Sequence, residues 1–281
     1  MKARFLLLLC LMLAAFPAFA ADAPKESTYD RVMRTKTIRC SYAVYPPTLM
    51  KDPNSGKITG IFHDLIEEAA RLHGFKVEWT AEVDYGTIIQ GFDTGRYDMF
   101  CAALWPGPER AQQALFTVPL YYSGVGIFVR ADDHRFDGHP EKLNAPEYKF
   151  SISSDGDIND SVARADFPLA QRVAIAPMAP PSMMFEDVAN KKTDAVLAEV
   201  AFVSDFLKVH PGALRNIVPA DPVRVFPNVY MLPKNEFQFK SMMDTVLQTL
   251  LYQGYVNKLI DKYAGTGGGF YKAAKPYEVS K

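Results

Sequence analysis

The arginine at position 110 has the sequence surroundings of an anion-binding side chain. A short apolar strand is predicted at residues 97–104, a Pro-Gly-Pro loop follows it, and a helix is predicted to begin at Pro108. In an open α/β sheet, small anions usually bind where a strand ends and the next helix begins. A guanidinium group there can hold a carboxylate by two parallel charge-assisted hydrogen bonds. The alternative is an exposed arginine in a first helical turn, which is common.

Other kinds of chemistry have little support in the residue pattern. The histidines at 63, 73, 134, 139 and 210 are scattered, and none forms a zinc-type cluster with cysteine. No nucleophile is paired with a base at a recognisable spacing. We therefore expect a binding site with no metal, no cofactor and no catalytic residue.

The elements that must position Arg110 are predicted from apolar periodicity and turn residues. Strands are expected at 37–42, 75–79 and 97–104, alternating with helices at 60–73 and 85–92. Thr59 is the expected N-cap of the first helix, and Gly74 is its expected end. This alternation predicts a parallel sheet with helices on both faces.

A second series of the same kind follows a change of composition near Gly124. Its strands are expected at 125–129, 149–153, 172–175 and 195–198, with helices ending near 166 and at 181–191 and 200–209. A strand at 229–232 and helices at 237–252 and 255–263 follow. If these last elements return to the first unit, the chain crosses twice, and two strands form a hinge that permits closure over a ligand.

The first twenty residues have the pattern of a secretory signal peptide. Lys2 and Arg4 precede an apolar run, and the small residues Ala18 and Ala20 predict cleavage after Ala20. A retained membrane anchor and a lipoprotein modified at Cys10 are the alternatives. The run is short for a bilayer span, and large leucines precede Cys10 where small residues would be expected.

Charge and cysteine content limit the partners and the covalent structure. Removing Lys2 and Arg4 from 31 basic residues leaves 29 against 32 acidic ones, about −3, which argues against a nucleic-acid partner. Cys40 and Cys101 remain after cleavage, and an oxidising compartment permits them to pair. Because they are expected on neighbouring parallel strands at similar depth, where direct bridging is awkward, we expect buried thiols rather than a disulfide.

Five motifs in this order resemble the bacterial family 3 solute-binding proteins, the periplasmic amino-acid receptors of ABC transporters. They are IRCSYAVYPP at 38–47, GIFHDLIEEAARLHG at 60–74, GRYDMF and PERAQQALFTVPLYYSGV within 95–125, KKTDAVLAE at 191–199, and LYQGYVNKLIDKYAG at 251–265. Each is weak alone, but their order and spacing are specific.

The resemblance implies an α/β protein with the two-lobe periplasmic binding protein fold of type II. Each lobe would be a mostly parallel sheet flanked by helices, and two strands would join the lobes as a hinge. It also implies a periplasmic location, a small amino acid or related carboxylate as ligand, an inner-membrane ABC permease as partner, and a monomer. The expected segments are a signal at 1–20, a polar lead at 21–35, lobe 1 at 36–124, lobe 2 at 125–225, a return to lobe 1 at 226–266 and a flexible tail at 267–281.

The resemblance also assigns roles to individual residues. Arg110 matches the arginine that binds the ligand carboxylate, and Glu199 matches the acid that accepts the ligand ammonium, where aspartate is more usual. Glu199 has an alternative role as a cap of the helix beginning near residue 200. Tyr45 and Tyr85 match the two aromatic positions that clasp the ligand side chain, with ordinary packing as the alternative.

Several candidate site residues depart from the family pattern. Trp105 stands where many relatives have serine or threonine, Tyr42 stands where an acidic residue often ends the first strand, and Ala103 completes the candidate strand end. The second-lobe loop carries Ser154, Asp155 and Asp157 instead of a Gly-Thr-Thr type anion cradle. Trp105 favours a smaller pocket, or a planar or aromatic ligand. The acidic loop favours a ligand with a cationic or amine-bearing end, although the two aspartates also suit a solvated turn.

A receptor that closes around an amino acid or related zwitterion is therefore the main functional hypothesis. An enzyme on the same fold, similar to the cyclohexadienyl dehydratases, is an alternative in which Glu199 would be the general acid or base. A sensor or accessory binding module without a transport role is a third.

Overall fold

The two longest strands in the described part of the chain connect two sets of parallel strands. The computed structural model describes residues 26–153, 158–176, 179–264 and 269–273. The predicted signal at 1–20 lies outside the described residues. Within the described ranges, no helix is both long and apolar enough to span a membrane.

The helices and strands alternate along most of the chain. In the N-terminal part they are α1 Thr28–Thr35, β1 Thr37–Tyr42, β2 Met50–Lys51, β3 Ile58–Thr59, α2 Ile61–His73, β4 Lys76–Glu82, α3 Ile88–Asp93, β5 Met99–Leu104, α4 Pro108–Ala111, β6 Ala114–Phe116 and β7 Tyr121–Arg130. The middle part contains a 3-10 helix at Pro140–Leu143, β8 Lys149–Ile152, α5 Ile158–Asp166, β9 Gln171–Ala174, α6 Met183–Ala189, β10 Ala195–Glu199, α7 Val200–Val209 and β11 Leu214–Asn216. The C-terminal part contains β12 Arg224–Pro233, α8 Phe237–Tyr252, α9 Tyr255–Ala264 and β13 Phe270–Lys272.

One continuous sheet runs through both halves of the described chain, in the order β4-β1-β5-β12-β7-β10-β8-β9. Strands β4, β1 and β5 are parallel, as are β10, β8 and β9. Strand β12 is antiparallel to both β5 and β7. Its first half pairs with β7 and its second half pairs with β5 and β6, so β7 and β12 form the predicted two-strand connection.

Each half of the sheet has apolar clusters on both faces, as a parallel sheet covered by helices requires. In β5, Met99, Cys101 and Ala103 face one cluster, which includes residues of α2, α8 and α9. Phe100, Ala102 and Leu104 face the other cluster, together with residues of α3. The residues of β10 divide in the same way between a cluster with α5 and a cluster with α6 and α7. We call the two halves the first lobe and the second lobe.

The predicted type II binding-protein fold is therefore confirmed, and several predicted elements match closely. The bounds of β1, α7 and α8 agree with the prediction to the residue. The predicted residue boundaries of the two lobes stay predictions.

Some local predictions were wrong. The N-cap of α2 is Gly60, whose φ of 126° favours glycine, whereas the predicted cap Thr59 lies in the β2–β3 hairpin. Residues expected in a polar lead form α1, which is capped by the Ser27 side chain. Residues expected in a flexible tail form β13, which pairs with β7. The short strand β6 and the 3-10 helix were not predicted, because their sequences have no clear pattern.

Cys40 and Cys101 form a disulfide, so the prediction of buried thiols was wrong. Cys40 lies opposite Met99 in the β1–β5 register, and Cys101 is two residues further along on the same face. The two cysteines are diagonal rather than directly opposite. Their Cα atoms are 5.5 Å apart, within the usual range for a disulfide. Both side chains are fully buried in the first lobe.

We expect the Cys40–Cys101 bond to stabilise the first lobe. The cysteines are 61 residues apart, and cross-linking a loop of that length is worth up to about 4 kcal/mol in the chain-entropy account. The double variant Cys40→Ala/Cys101→Ala should lower the free energy of unfolding by about 2–4 kcal/mol in urea titrations.

The wild type, unfolded and then reduced, is a matched control for loss of the bond in the double variant. The wild type refolded under reducing conditions should be destabilised in the same way as the double variant. Two titratable thiols in the unreduced, denatured wild type would show that the bond is absent.

Candidate functional site

A small cavity lies where the two lobes meet at the connecting strands. Its volume is about 90 Å³. The lining residues come from the first lobe, from the second lobe and from β12. They are Tyr45, Tyr85, Ala103, Leu104, Trp105 and Arg110 from the first lobe, Ile158, Asn159 and Glu199 from the second lobe, and Asn228 from β12.

Arg110 is held at the cavity by the short turn that follows β5. Pro108 occupies the start of α4, where its missing N–H is tolerated, and Arg110 is the third residue of this single turn. One guanidinium nitrogen donates to the Trp105 carbonyl oxygen at 3.3 Å. Among the described residues Arg110 has no ion-pair partner, so its remaining donors are available to a ligand.

Glu199 approaches the same cavity from the second lobe. It is the last residue of β10 and only 2% exposed. It occupies the N-cap position of α7, but its side chain makes no capping hydrogen bond. Burial raises the pKa of the Glu199 carboxyl to about 7, and the hydroxyl groups of Ser123 and Tyr45 partly oppose this rise.

The two predicted aromatic positions both line the cavity. The ring of Tyr45 packs against Phe202 of α7 with a centroid distance of 4.3 Å, so this contact joins the two lobes. The pKa of the Tyr45 hydroxyl lies well above its usual value because of burial and the neighbouring charge of Glu199. The Tyr85 hydroxyl donates to the carbonyl oxygen of Ala103 at 3.2 Å, which fixes its ring at the first-lobe wall.

Trp105 contributes a ring to the cavity, but its hydrogen-bond donor is used within the protein. Its indole N–H donates to the Ser123 hydroxyl oxygen at 3.0 Å. The indole stacks on Phe226 of β12 with centroids 4.7 Å apart. Since indole has only one donor, and that donor is used within the protein, Trp105 has no N–H left for a ligand carboxylate.

Tyr42, which the sequence placed among the candidate site residues, is not among the residues that line this cavity. Its ring is buried against Trp79 in an edge contact at 5.6 Å, and the Lys51 ammonium lies 5.8 Å from the ring centroid. The predicted second-lobe loop residues Ser154, Asp155 and Asp157 lie outside the described residues.

Sequence reasoning missed the cavity residues that are supplied by long-range contacts. Asn228 is 1% exposed, and its amide N–H donates to the Ser123 hydroxyl oxygen at 2.8 Å. The available signal was a single polar residue directly before the apolar stretch VYMLP at 229–233. Asn159, Ile158 and Leu104 also line the cavity, and nothing in their local patterns distinguished them.

We expect the buried Glu199 carboxyl to reduce stability above neutral pH. Its pKa is raised from 4.5 to about 7, so the native state binds more protons than the unfolded state between these values. The free energy of unfolding therefore falls as pH rises through this window, by up to about 3 kcal/mol. The variant Glu199→Gln should lack this pH dependence. Its free energy of unfolding, compared with that of the wild type, should therefore increase from pH 5 to pH 8.

Chemical denaturation at several pH values measures this difference. Glu78→Gln, which changes an exposed carboxylate of β4, is the matched control and should leave the slope in place. Parallel pH profiles for the wild type and Glu199→Gln would contradict the role of this carboxyl.

Comparison with known proteins gives the same fold and a common family. The chain is 24% identical to a probable amino-acid ABC transporter-binding protein of Haemophilus influenzae, over 88% of this chain and 92% of that protein. It is 23% identical to the cyclohexadienyl dehydratase of Pseudomonas aeruginosa, over 91% of this chain and 92% of that enzyme. An ancestral amino acid-binding protein, described as a precursor of cyclohexadienyl dehydratase, superimposes with a TM-score of 0.73 at 24% identity, covering 85% of this chain and 99% of that one.

The family match extends from the first strand to the last long helix. Residues 38–266 match the bacterial extracellular solute-binding proteins, family 3. These residues contain both lobes, the two connecting strands and every described residue that lines the cavity. The chain therefore belongs to the bacterial extracellular solute-binding proteins of family 3.

Proposed function

We propose that this protein is a periplasmic receptor that binds a small amino acid or related zwitterion and delivers it to an ABC permease. One observation carries the proposal. Arg110 of the first lobe and Glu199 of the second lobe line the same cavity, and neither has an ion-pair partner among the described residues. A cation and an acid in one small cavity complement a ligand that carries both charges.

The physical case depends on how little water reaches these groups. Electrostatic interactions strengthen as the local dielectric constant falls, and a buried charge without a partner is costly. A ligand carboxylate can accept hydrogen bonds from Arg110, while a ligand ammonium can pair with ionised Glu199. Because the two residues belong to different lobes, one zwitterion would join both lobes and favour their closed arrangement.

The wider assignment follows from the family and from the relatives. The Haemophilus influenzae relative is named as a probable amino-acid ABC transporter-binding protein, which supports a transport role. We extend this role to a monomer, exported after cleavage at Ala20, whose lobes bend about β7 and β12. The proposed lobe boundaries are residues 36–124 with 226–266 for the first lobe, and 125–225 for the second.

Arg110→Ala should remove most of the affinity for any carboxylate ligand. Two charge-assisted hydrogen bonds would be lost, worth about 3 kcal/mol or more together, which is a loss of at least about 100-fold. A thermal-shift screen of amino acids identifies a ligand, since binding to the native state raises the melting temperature. Isothermal titration calorimetry then compares the variants.

Arg96→Ala, which changes an exposed arginine, is the matched control and should bind as the wild type does. Arg110→Lys should bind more weakly than the wild type because an ammonium cannot form the two parallel bonds. Wild-type affinity in Arg110→Ala would rule out the carboxylate-binding role.

Affinity for a zwitterion should also depend on pH through Glu199. The pKa of this carboxyl in the empty protein is about 7, so at lower pH it must lose a proton before it can pair with an ammonium. The association constant should therefore fall by up to about tenfold for each pH unit below 7. Glu199→Gln should bind more weakly at pH 7.5 and should lack this dependence. A flat wild-type profile between pH 5.5 and 7.5 would contradict the pairing.

An enzymatic role is the second candidate because of the same carboxyl. A pKa near neutrality suits a group that transfers protons at physiological pH, and a dehydratase is among the relatives. Following a bound cyclohexadienyl acid by NMR over several hours tests this role. Consumption that is lost in Glu199→Gln supports the enzyme, whereas an unchanged ligand supports the receptor. A ligand-binding sensor that lacks a transport role would bind the ligand but lack permease and ATPase genes nearby.

A further inference from the structure

Among the residues that line the cavity, two contribute a buried acceptor atom that has no hydrogen-bond partner in the described part of the chain. These atoms are one side-chain oxygen of Asn159 and one carboxyl oxygen of Glu199. Both residues line the cavity. Native proteins rarely leave buried polar atoms unpaired, since such an atom has lost its hydrogen bonds to water without gaining others. These two atoms therefore point to a ligand group that donates at least two hydrogen bonds.

The donors that remain available to a ligand lie on the first-lobe side of the cavity, opposite the two unpaired acceptors. Trp105 donates its only N–H to Ser123, and Asn228 donates to the same oxygen. Arg110 keeps donors that are not used within the described residues. The cavity thus has donors on its first-lobe side and unpaired acceptors on its second-lobe side, which orients a zwitterion with its ammonium toward the second lobe.

The size of the cavity restricts the ligand further. Its volume of about 90 Å³ is well below the roughly 300 Å³ at which pockets for drug-sized ligands begin. Tyr45 and Trp105 form part of its wall, and each ring is held by an aromatic partner, Phe202 and Phe226 respectively. A compact amino acid therefore suits this space better than one with a long side chain.

We propose that Asn159 is a ligand-binding residue that, together with Glu199, selects a compact amino acid whose ammonium carries at least two N–H groups. This inference rests on the proposed receptor function and specifies its ligand class. A primary or secondary ammonium can satisfy both unpaired oxygens. A quaternary ammonium has no N–H and would leave both oxygens buried and unpaired, although aromatic rings alone attract such cations.

A methylation series separates these two modes of ammonium recognition. Isothermal titration calorimetry with glycine and its N-methyl, N,N-dimethyl and N,N,N-trimethyl derivatives removes one N–H at each step. Glycine and the N-methyl derivative should bind, the dimethyl derivative about tenfold more weakly, and the trimethyl derivative about 100-fold more weakly or not at all. Binding of the trimethyl derivative as tight as that of glycine would overturn the inference.

Variants of Asn159 test its role in binding the ligand ammonium directly. Asn159→Leu keeps a similar size but has no acceptor, so glycine should bind about tenfold more weakly and the preference for glycine over the dimethyl derivative should nearly disappear. Asn159→Asp keeps an acceptor and should keep the preference. Asn54→Leu, in an exposed turn, is the matched control. Unchanged glycine affinity and preference in Asn159→Leu would overturn the assignment.

Lysine and arginine distinguish failure of this inference from failure of the receptor function. If either one binds while the compact series does not, the ligand class is wrong and the receptor function stands. If no amino acid binds, with or without N-methyl groups, the receptor function fails together with the inference.

Discussion

The pairing of β7 with β12 is the constraint on which the rest of the site depends. In this register Ser123 lies opposite Phe226, which supports the Trp105 ring, and Tyr121 lies opposite Asn228. One residue beyond Asn228, β12 pairs with Leu104 at the end of β5, and on its other side β7 pairs with β10 as far as Glu199. A shift of one residue would turn alternate side chains to the other face. The same two strands therefore join the lobes and set the positions of the polar groups in the cavity.

The Ser123 hydroxyl links these groups because each of its hydrogen-bonding positions has a partner among them. A serine hydroxyl has two acceptor positions and one donor. Trp105 and Asn228 supply the two incoming N–H groups, so the hydroxyl proton remains for the neighbouring Glu199 carboxyl. This arrangement accommodates a tryptophan just after β5 without leaving its N–H unpaired. Trp105 satisfies its own donor within the protein and presents only its ring to the cavity.

The sequence predicted what is encoded locally and missed what depends on tertiary contacts. Apolar periodicity located β1, α7 and α8 because each buries one face or both faces of a regular element. Motif context selected Arg110, Glu199, Tyr45 and Tyr85, and the structure places these four residues around one cavity. Tyr42 was selected for its place at a strand end, and it does not line that cavity. The Cys40–Cys101 bond was missed because it depends on a diagonal register that the separate strands do not reveal. Asn159 and Ser123 were missed because their importance comes from partners, or from missing partners, far away in the chain.

The empty site has a stability cost that gives it a functional meaning. Glu199 is buried without a cation, and its pKa of about 7 means that ionising it in the native state is unfavourable by up to about 3 kcal/mol relative to the unfolded chain. Replacing the carboxyl would remove this cost but would also remove the group that distinguishes an ammonium from a neutral ligand. Natural proteins commonly keep such unfavourable groups where function needs them. A ligand ammonium that pairs with ionised Glu199 would offset the same free energy, and relief of this cost would add to the affinity for such a ligand.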